Sequence, residues 1–341
     1  MLKNKNLLIA AIICLGLSNA NTAFGKDVGV DFLKVQNSAQ AALPQNKQAV
    51  TNFQQGNNLY KQGDLKGAEA AFRKAIQLEP KFIQAYVALG NTLDDQGKSQ
   101  EAIAQYEKAI SLDPEHAKAH FYLGNALYVQ GQFSEAIAEY KQAINSDPQD
   151  AETHYYLGNA FYAQGKPAQA MAEYTTAIRL EPKNAASYNA LGNALYAQGN
   201  LEAAIAHYQQ AISIDAQDAD AHYNLASVFY AQSKLAEAVA NYTQAIRLNP
   251  KHAQAYTGLA NAMDDQGKPQ EAIAHYKKAI SLVPNYAYAY YNLGITLGRE
   301  QQIQEAIVNF QKARELFQAE KNNEMVEQID RLIGKIQGSG E

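Results

Sequence analysis

The sequence predicts an all-α chain, a solenoid of stacked helix-turn-helix hairpins, and three recurrences predict it. Prolines fall at Pro80, Pro114, Pro148, Pro182, Pro250 and Pro284, a step of 34 residues with Ala216 in the one missing place. Alanines keep that step at Ala68, Ala102, Ala136, Ala170, Ala204, Ala238, Ala272 and Ala306. Aromatics keep it at Phe72, Tyr106, Tyr140, Tyr174, Tyr208, Tyr242, Tyr276 and Phe310. Self-similarity at a fixed period of this size is the signature of a repeat array, in which each unit buries its apolar face only against its neighbours.

The chain opens on residues 1–25, which read as a signal peptide. Lys3 and Lys5 precede an apolar run from Leu7 to Leu17, and Ser18, Ala20, Ala23 and Gly25 follow. Eleven apolar residues are too few to cross a bilayer comfortably. Ala23-Phe24-Gly25 fits cleavage before Lys26, with Ala20 and Ala23 as other cleavage points and an uncleaved membrane anchor as the alternative. The single cysteine, Cys14, lies in this segment behind Ile13, which argues against lipid attachment. Without residues 1–25 the chain has no disulfide, no thiol nucleophile and no thiolate metal ligand.

Residues 26–48 form a linker or N-terminal extension, in which Phe32, Leu33 and Val35 could dock on the first repeat. Eight windows then follow, at 49–82, 83–116, 117–150, 151–184, 185–218, 219–252, 253–286 and 287–320. In the second, Tyr86, Leu89, Gly90 and Leu93 make one helical stripe, and Gly97 ends that helix with a left-handed cap. Ala102, Tyr106 and Ala109 stripe the partner helix, which Asp113-Pro114 terminates. Small Gly90 and Ala102 let the two helices approach, and Tyr106 fills the remaining space. Ser233 and Gln301 stand where the other turns carry glycine. The eighth window lacks its proline and runs on through Leu316 and Phe317. Met325, Val326, Ile329, Leu332, Ile333 and Ile336 then form one face of a C-terminal capping helix over 321–337, before a tail at 338–341.

These motifs resemble the tetratricopeptide repeat family: Tyr86-x2-Leu89-Gly90-x2-Leu93, then Ala102-x3-Tyr106, Ala109 and Pro114. The resemblance covers about 49–320. It implies a right-handed superhelix whose concave groove is lined by the first helix of each pair, and a protein or peptide segment as the guest. Chaperone-adaptor members hold a terminal carboxylate with lysine, asparagine and arginine. Here Asn57, Asn91 and Lys118 match part of that set, but Phe53 and Tyr122 stand where the other basic residues belong, so that use is not expected.

Three series occupy first-helix positions outside the packing stripe. Asparagines recur at Asn57, Asn91, Asn125, Asn159, Asn193 and Asn261, broken by Ser227 and Ile295. Tyrosines lie three residues further on, at Tyr60, Tyr128, Tyr162, Tyr196 and Tyr230. Aromatics four residues earlier are Phe53, Phe121, Tyr155, Tyr223 and Tyr291. A ladder of asparagines offers a donor and an acceptor per step to an extended backbone, an arrangement similar to the asparagine ladder of O-GlcNAc transferase repeats. A bridge between neighbouring helices is the competing role. Tyrosines add wide amphipathic contact area, for a peptide or, as the second class, a polysaccharide. Asp94-Asp95 and Asp264-Asp265 make two acidic places that either select a basic segment or are solvated turn residues.

Charge excludes one class of partner. The chain has a net charge of −5, and without residues 1–25 it has 27 basic and 34 acidic residues, −7. No basic run offers a footprint for nucleic acid or a strong electrostatic grip on lipid, which leaves peripheral or anchored membrane association through residues 1–25. The seven histidines follow the repeat register, with His120, His154 and His222 in the slot of Tyr86. No metal site, cofactor or catalytic residue is expected, because no third ligand, nucleophile motif or phosphate loop occurs. The expected function is therefore a non-enzymatic scaffold or adaptor outside the cytoplasm, in the periplasm or facing it from a membrane.

Overall fold

A computed structural model describes residues 43–338. The signal segment, most of the linker and the end of the tail lie outside the described residues. The described chain is all helical and contains no strand. It forms two compact units, the first ending at Gln198 and the second beginning at Gly199.

The first unit holds α1 (Lys47–Lys61), α2 (Leu65–Leu78), α3 (Ile83–Asp95), α4 (Ser99–Leu112), α5 (Ala117–Val129), α6 (Phe133–Ser146), α7 (Ala151–Ala163), α8 (Pro167–Leu180) and α9 (Ala185–Ala197). The second holds α10 (Leu201–Ile214), α11 (Ala219–Ala231), α12 (Leu235–Leu248), α13 (Ala253–Asp265), α14 (Pro269–Leu282), α15 (Ala287–Arg299), α16 (Ile303–Ala319) and α17 (Asn323–Gly338). Within each unit every helix packs on the next, and the first helices of adjacent hairpins also touch.

Local chemistry sets the ends. α1 begins two residues ahead of the 49–82 window because Asn46 caps it, accepting from the Gln48 and Ala49 amides. The Asn46 amide also donates to the Leu78 carbonyl at 2.9 Å, tying the start of α1 to the end of α2. Proline opens α8 and α14 at a position whose N–H would have no helical partner. The turn between paired helices takes a left-handed residue, Gly97 at φ 75° among them. Ser233, Gln301 and Lys321 adopt the same conformation at φ 60°, 61° and 58°. Each side chain there costs about 1–2 kcal/mol relative to glycine.

The hairpin core is an aromatic ring wedged against a small residue. Tyr106, Tyr140 and Tyr174 are fully buried. A β-carbon at Gly90, Gly124 or Gly158 would stand 2.4, 2.7 or 2.5 Å from the ring of the facing tyrosine. The glycine is thus required by ring contact and not by backbone angle. In the second unit Ala226 replaces it, and Gly258 of the following hairpin provides the close approach to Tyr242.

At the C-terminal end, α16 runs 17 residues where the other second helices run 14. Its extra turn carries Phe317, which is fully buried. α17 covers it with Met325 and Ile329, and Val326, Leu332, Ile333 and Ile336 pack partly on the same cluster.

Candidate functional site

The first helices carry every residue of the three candidate series, and a buried hydrogen bond decides which way the asparagines face. Tyr106 Oη donates to Asn91 Oδ1, Tyr140 to Asn125 and Tyr174 to Asn159, each at 2.7 Å. Tyr276 donates to Asn261 at 2.6 Å. The core tyrosine of each of these hairpins therefore places its hydroxyl on the asparagine of the same hairpin. Burial, the largest cause, keeps the Tyr106, Tyr140 and Tyr174 phenols protonated far above the ordinary tyrosine range.

The bond bridges the two helices of its hairpin and uses one of the two lone pairs of the asparagine oxygen. Asn261 Oδ1 is shared further, also accepting from Asn292 Nδ2 at 3.0 Å. The hairpins that lack the asparagine confirm the pairing. Ser227 Oγ lies 3.1 Å from Tyr242 Oη, and Ile295 stands in the hairpin whose ring is Phe310, which has no hydroxyl. Asn57 is the exception: its ring is Phe72, and its buried Oδ1 has no hydrogen-bond partner.

A double substitution tests this pairing. Asn159→Leu is expected to cost about 1–3 kcal/mol by leaving the Tyr174 hydroxyl buried and unpaired. Adding Tyr174→Phe should recover much of that loss, reproducing the Ile295–Phe310 combination. Urea unfolding of the four-member cycle reads the coupling; additive losses would refute it.

Burial divides the candidate residues further. Asn57, Asn91, Asn125, Tyr128, Tyr196 and Tyr223 are buried, so they present at most an edge to a guest. Asn159, Asn193, Asn261, Tyr155, Tyr162 and Tyr230 are half-buried. The aromatics four residues before the asparagines lean over the core ring, with centroids 6.0 Å apart for Tyr155–Tyr174 and 5.8 Å for Tyr223–Tyr242. They share the asparagines' helix face one turn earlier. Burial pushes the Tyr128 and Tyr196 phenols up to about 12.

Two tyrosines have partners that sequence reading did not pair. Tyr60 Oη donates to Asp95 Oδ2, and Tyr230 Oη donates to Asp265 Oδ2 at 2.8 Å. The signal was a tyrosine followed 35 residues later by aspartate, which the tyrosine series shows only at these two places. Asp264 accepts from Thr296 Oγ1 at 2.9 Å and forms an ion pair with Arg299. Burial pushes the Asp94 carboxyl up to about 6, with the nearby Ser99 hydroxyl opposing and Asp95 adding to the shift.

Other polar residues of the first helices pair with neighbouring side chains. Lys118 Nζ pairs with Asp150 at 2.9 Å and sits 5.0 Å above the Phe121 ring. His120 Nδ1 lies 2.6 Å from Glu139, and His154 Nδ1 2.7 Å from Glu173. Among the described residues no group of three histidine, cysteine, aspartate or glutamate side chains could hold a metal ion. No described helix is long and apolar enough to cross a membrane.

Known proteins share the fold. A family profile described as the C-terminal domain of cilia and flagella-associated protein 70 matches residues 114–329. A TPR-repeat profile matches 56–97 and 90–131. Among solved structures, the APC/C hetero-tetramer Cut9–Hcn1 is similar at 19% identity and a TM-score of 0.62, over 80% of this chain and 52% of that one. A tetratricopeptide repeat protein from Parabacteroides merdae ATCC 43184 is similar at 19% identity and 0.59, over 73% and 99%. Pseudomonas aeruginosa pilF is similar at 21% and 0.56, over 64% and 97%. At these identities the likeness shows the fold. No curated protein sequence matches the chain.

Proposed function

Because the chain belongs to the tetratricopeptide repeat family, we propose that it is a non-enzymatic scaffold that binds an extended protein segment along its first helices, outside the cytoplasm. The observation that carries this reading is on α7. Tyr155, Asn159 and Tyr162 are half-buried there, at spacings that stack them on one helix face. Tyr174 fixes the Asn159 oxygen inside, so the amide N–H groups are left for a guest. Donors of this kind suit the carbonyls of an extended backbone, and the flanking rings supply apolar contact at little entropic cost. Asn193, half-buried on α9, stands one repeat further on. Recognition through backbone carbonyls accepts many sequences, as a scaffold requires.

Placement outside the cytoplasm rests on Lys3, Lys5 and the apolar run Leu7–Leu17. N-terminal sequencing of the natural protein tests it, with a mature start near Lys26 as the expected result.

The binding reading has a test that spares the fold. Asn159→Asp keeps an oxygen for Tyr174 and removes the outward N–H donors. Tyr162→Ala removes one half-buried ring. Peptides selected from a random display library on the full chain should bind the double variant about tenfold more weakly or worse, with far-UV circular dichroism unchanged. A selection that enriches no binder, or binders indifferent to both substitutions, would remove this reading.

A further inference from the structure

Two places in the chain repeat the same tyrosine–aspartate arrangement, five repeats apart. Tyr60 with Asp94 and Asp95 in the first unit corresponds, 170 residues on, to Tyr230 with Asp264 and Asp265 in the second. In both, the tyrosine hydroxyl donates to the second aspartate.

The second-unit copy is complete. Asp264 receives the Thr296 hydroxyl at 2.9 Å and the Arg299 guanidinium, both from α15. One turn before Tyr230, Ser227 meets the Tyr242 hydroxyl at 3.1 Å.

The first-unit copy lacks all three of those donors. Ala126 stands at the position of Thr296, Val129 at that of Arg299, and Phe72 at that of Tyr242. Asp94 keeps the neighbouring Ser99 hydroxyl, and among the described residues no cation pairs with it. Asn57, one turn before Tyr60 on α1, is 3% exposed and its side-chain oxygen has no donor. Val129 is 62% exposed, an aliphatic side chain in water where the other copy grows its arginine.

An exposed pair of carboxylates alone would be only a solvated surface. Here the chain itself shows what the arrangement holds, because its second copy is filled by a guanidinium. We infer that the Asp94–Asp95 place of the first unit receives an arginine side chain from the bound segment, doing there what Arg299 does in the second unit. This rests on the segment-binding reading above and adds the chemistry of the guest. A guanidinium offers five N–H donors in a planar fork, so it can serve both carboxylates. The raised Asp94 carboxyl fits the same picture, as a half-buried acid without a counter-ion.

The full chain is titrated with a fluorescein-labelled glycine–serine peptide carrying three arginines. The same peptide with citrulline, neutral and nearly isosteric, serves as comparison, and anisotropy reads both. The arginine peptide should bind at least about tenfold more tightly, the scale of one charge-assisted hydrogen-bonded pair. Val129→Arg supplies an internal guanidinium and should weaken the arginine peptide about tenfold or more. Asp94→Asn should do the same. Val308→Arg adds the same charge at an equally exposed valine on α16 and should leave the affinity unchanged.

Equal binding of the arginine and citrulline peptides overturns the inference while leaving segment binding standing. So do equal losses from the two valine substitutions, which would mean that only net charge matters. If neither these peptides nor any selected from the random library bind, the inference and the reading beneath it both fall.

Discussion

Replacing Tyr140 by alanine is expected to lower the stability of its hairpin by about 4–6 kcal/mol. Truncating a fully buried aromatic ring costs about 3–5 kcal/mol, because the surroundings close only part of the cavity. The hydrogen bond from Tyr140 Oη to Asn125 is lost with the ring, leaving a buried oxygen unpaired at about 1–3 kcal/mol more, less what water recovers. The face of Gly124 loses its nearest neighbour at the same time, since the ring sits where a β-carbon would be. Each hairpin contacts mainly its neighbours within the unit, so the damage should stay near α5 and α6. Hydrogen exchange is the measurement: protection should collapse in those two helices and hold in α13 and α14. A uniform loss along the chain, or a change under about 1 kcal/mol, would contradict the account of the core given above.

Deleting residues 323–341 should be comparably severe. It removes Met325 and Ile329, both buried, and uncovers Phe317, whose ring stacks edge-on against Tyr288 at 4.9 Å. Two buried apolar side chains account for about 3–6 kcal/mol by transfer alone. The hydrogen bond from Gln328 Nε2 to Tyr291 Oη, at 2.6 Å, goes too. The Arg314–Asp330 pair that bridges α16 and α17 is surface-exposed and contributes little by comparison. The shortened chain should melt earlier, bind an apolar dye and self-associate through the bared end of α16. An unchanged melting temperature and a monodisperse chain would show that α17 does something other than cover the stack.

The fold was legible because the repeat writes each decision several times over. Gly97 and its equivalents, the Ala102 series and the Asp113-Pro114 stops each carry one physical instruction at a fixed interval. The direction of the asparagines was harder to read. Asn91 and Tyr106 run in parallel series 15 residues apart, and both series suggest separate surfaces until a hydrogen bond joins them. The clue lay at the last repeat, where asparagine becomes Ile295 and tyrosine becomes Phe310 together. The pairing of Asp264 with Arg299 was not legible, because two residues on successive first helices meet only when the stacking offset is known. The half-buried state of Tyr162, against the burial of Tyr128, has the same cause. Their sequence positions are equivalent, and the packing of each neighbouring hairpin separates them.

The Asn–Tyr bond has a consequence for how such a chain can change its length. Its donor and acceptor belong to the same hairpin, so a copied hairpin arrives with its core hydroxyl already matched. Duplication of one 34-residue block, or its loss, strands none of these core hydroxyls in the blocks on either side. A polar link across the seam between blocks would demand two simultaneous changes for every such event. By keeping that link within the block, the sequence makes whole-block gain and loss a single genetic step with little energetic penalty, and the binding surface can lengthen or shorten at the same stroke.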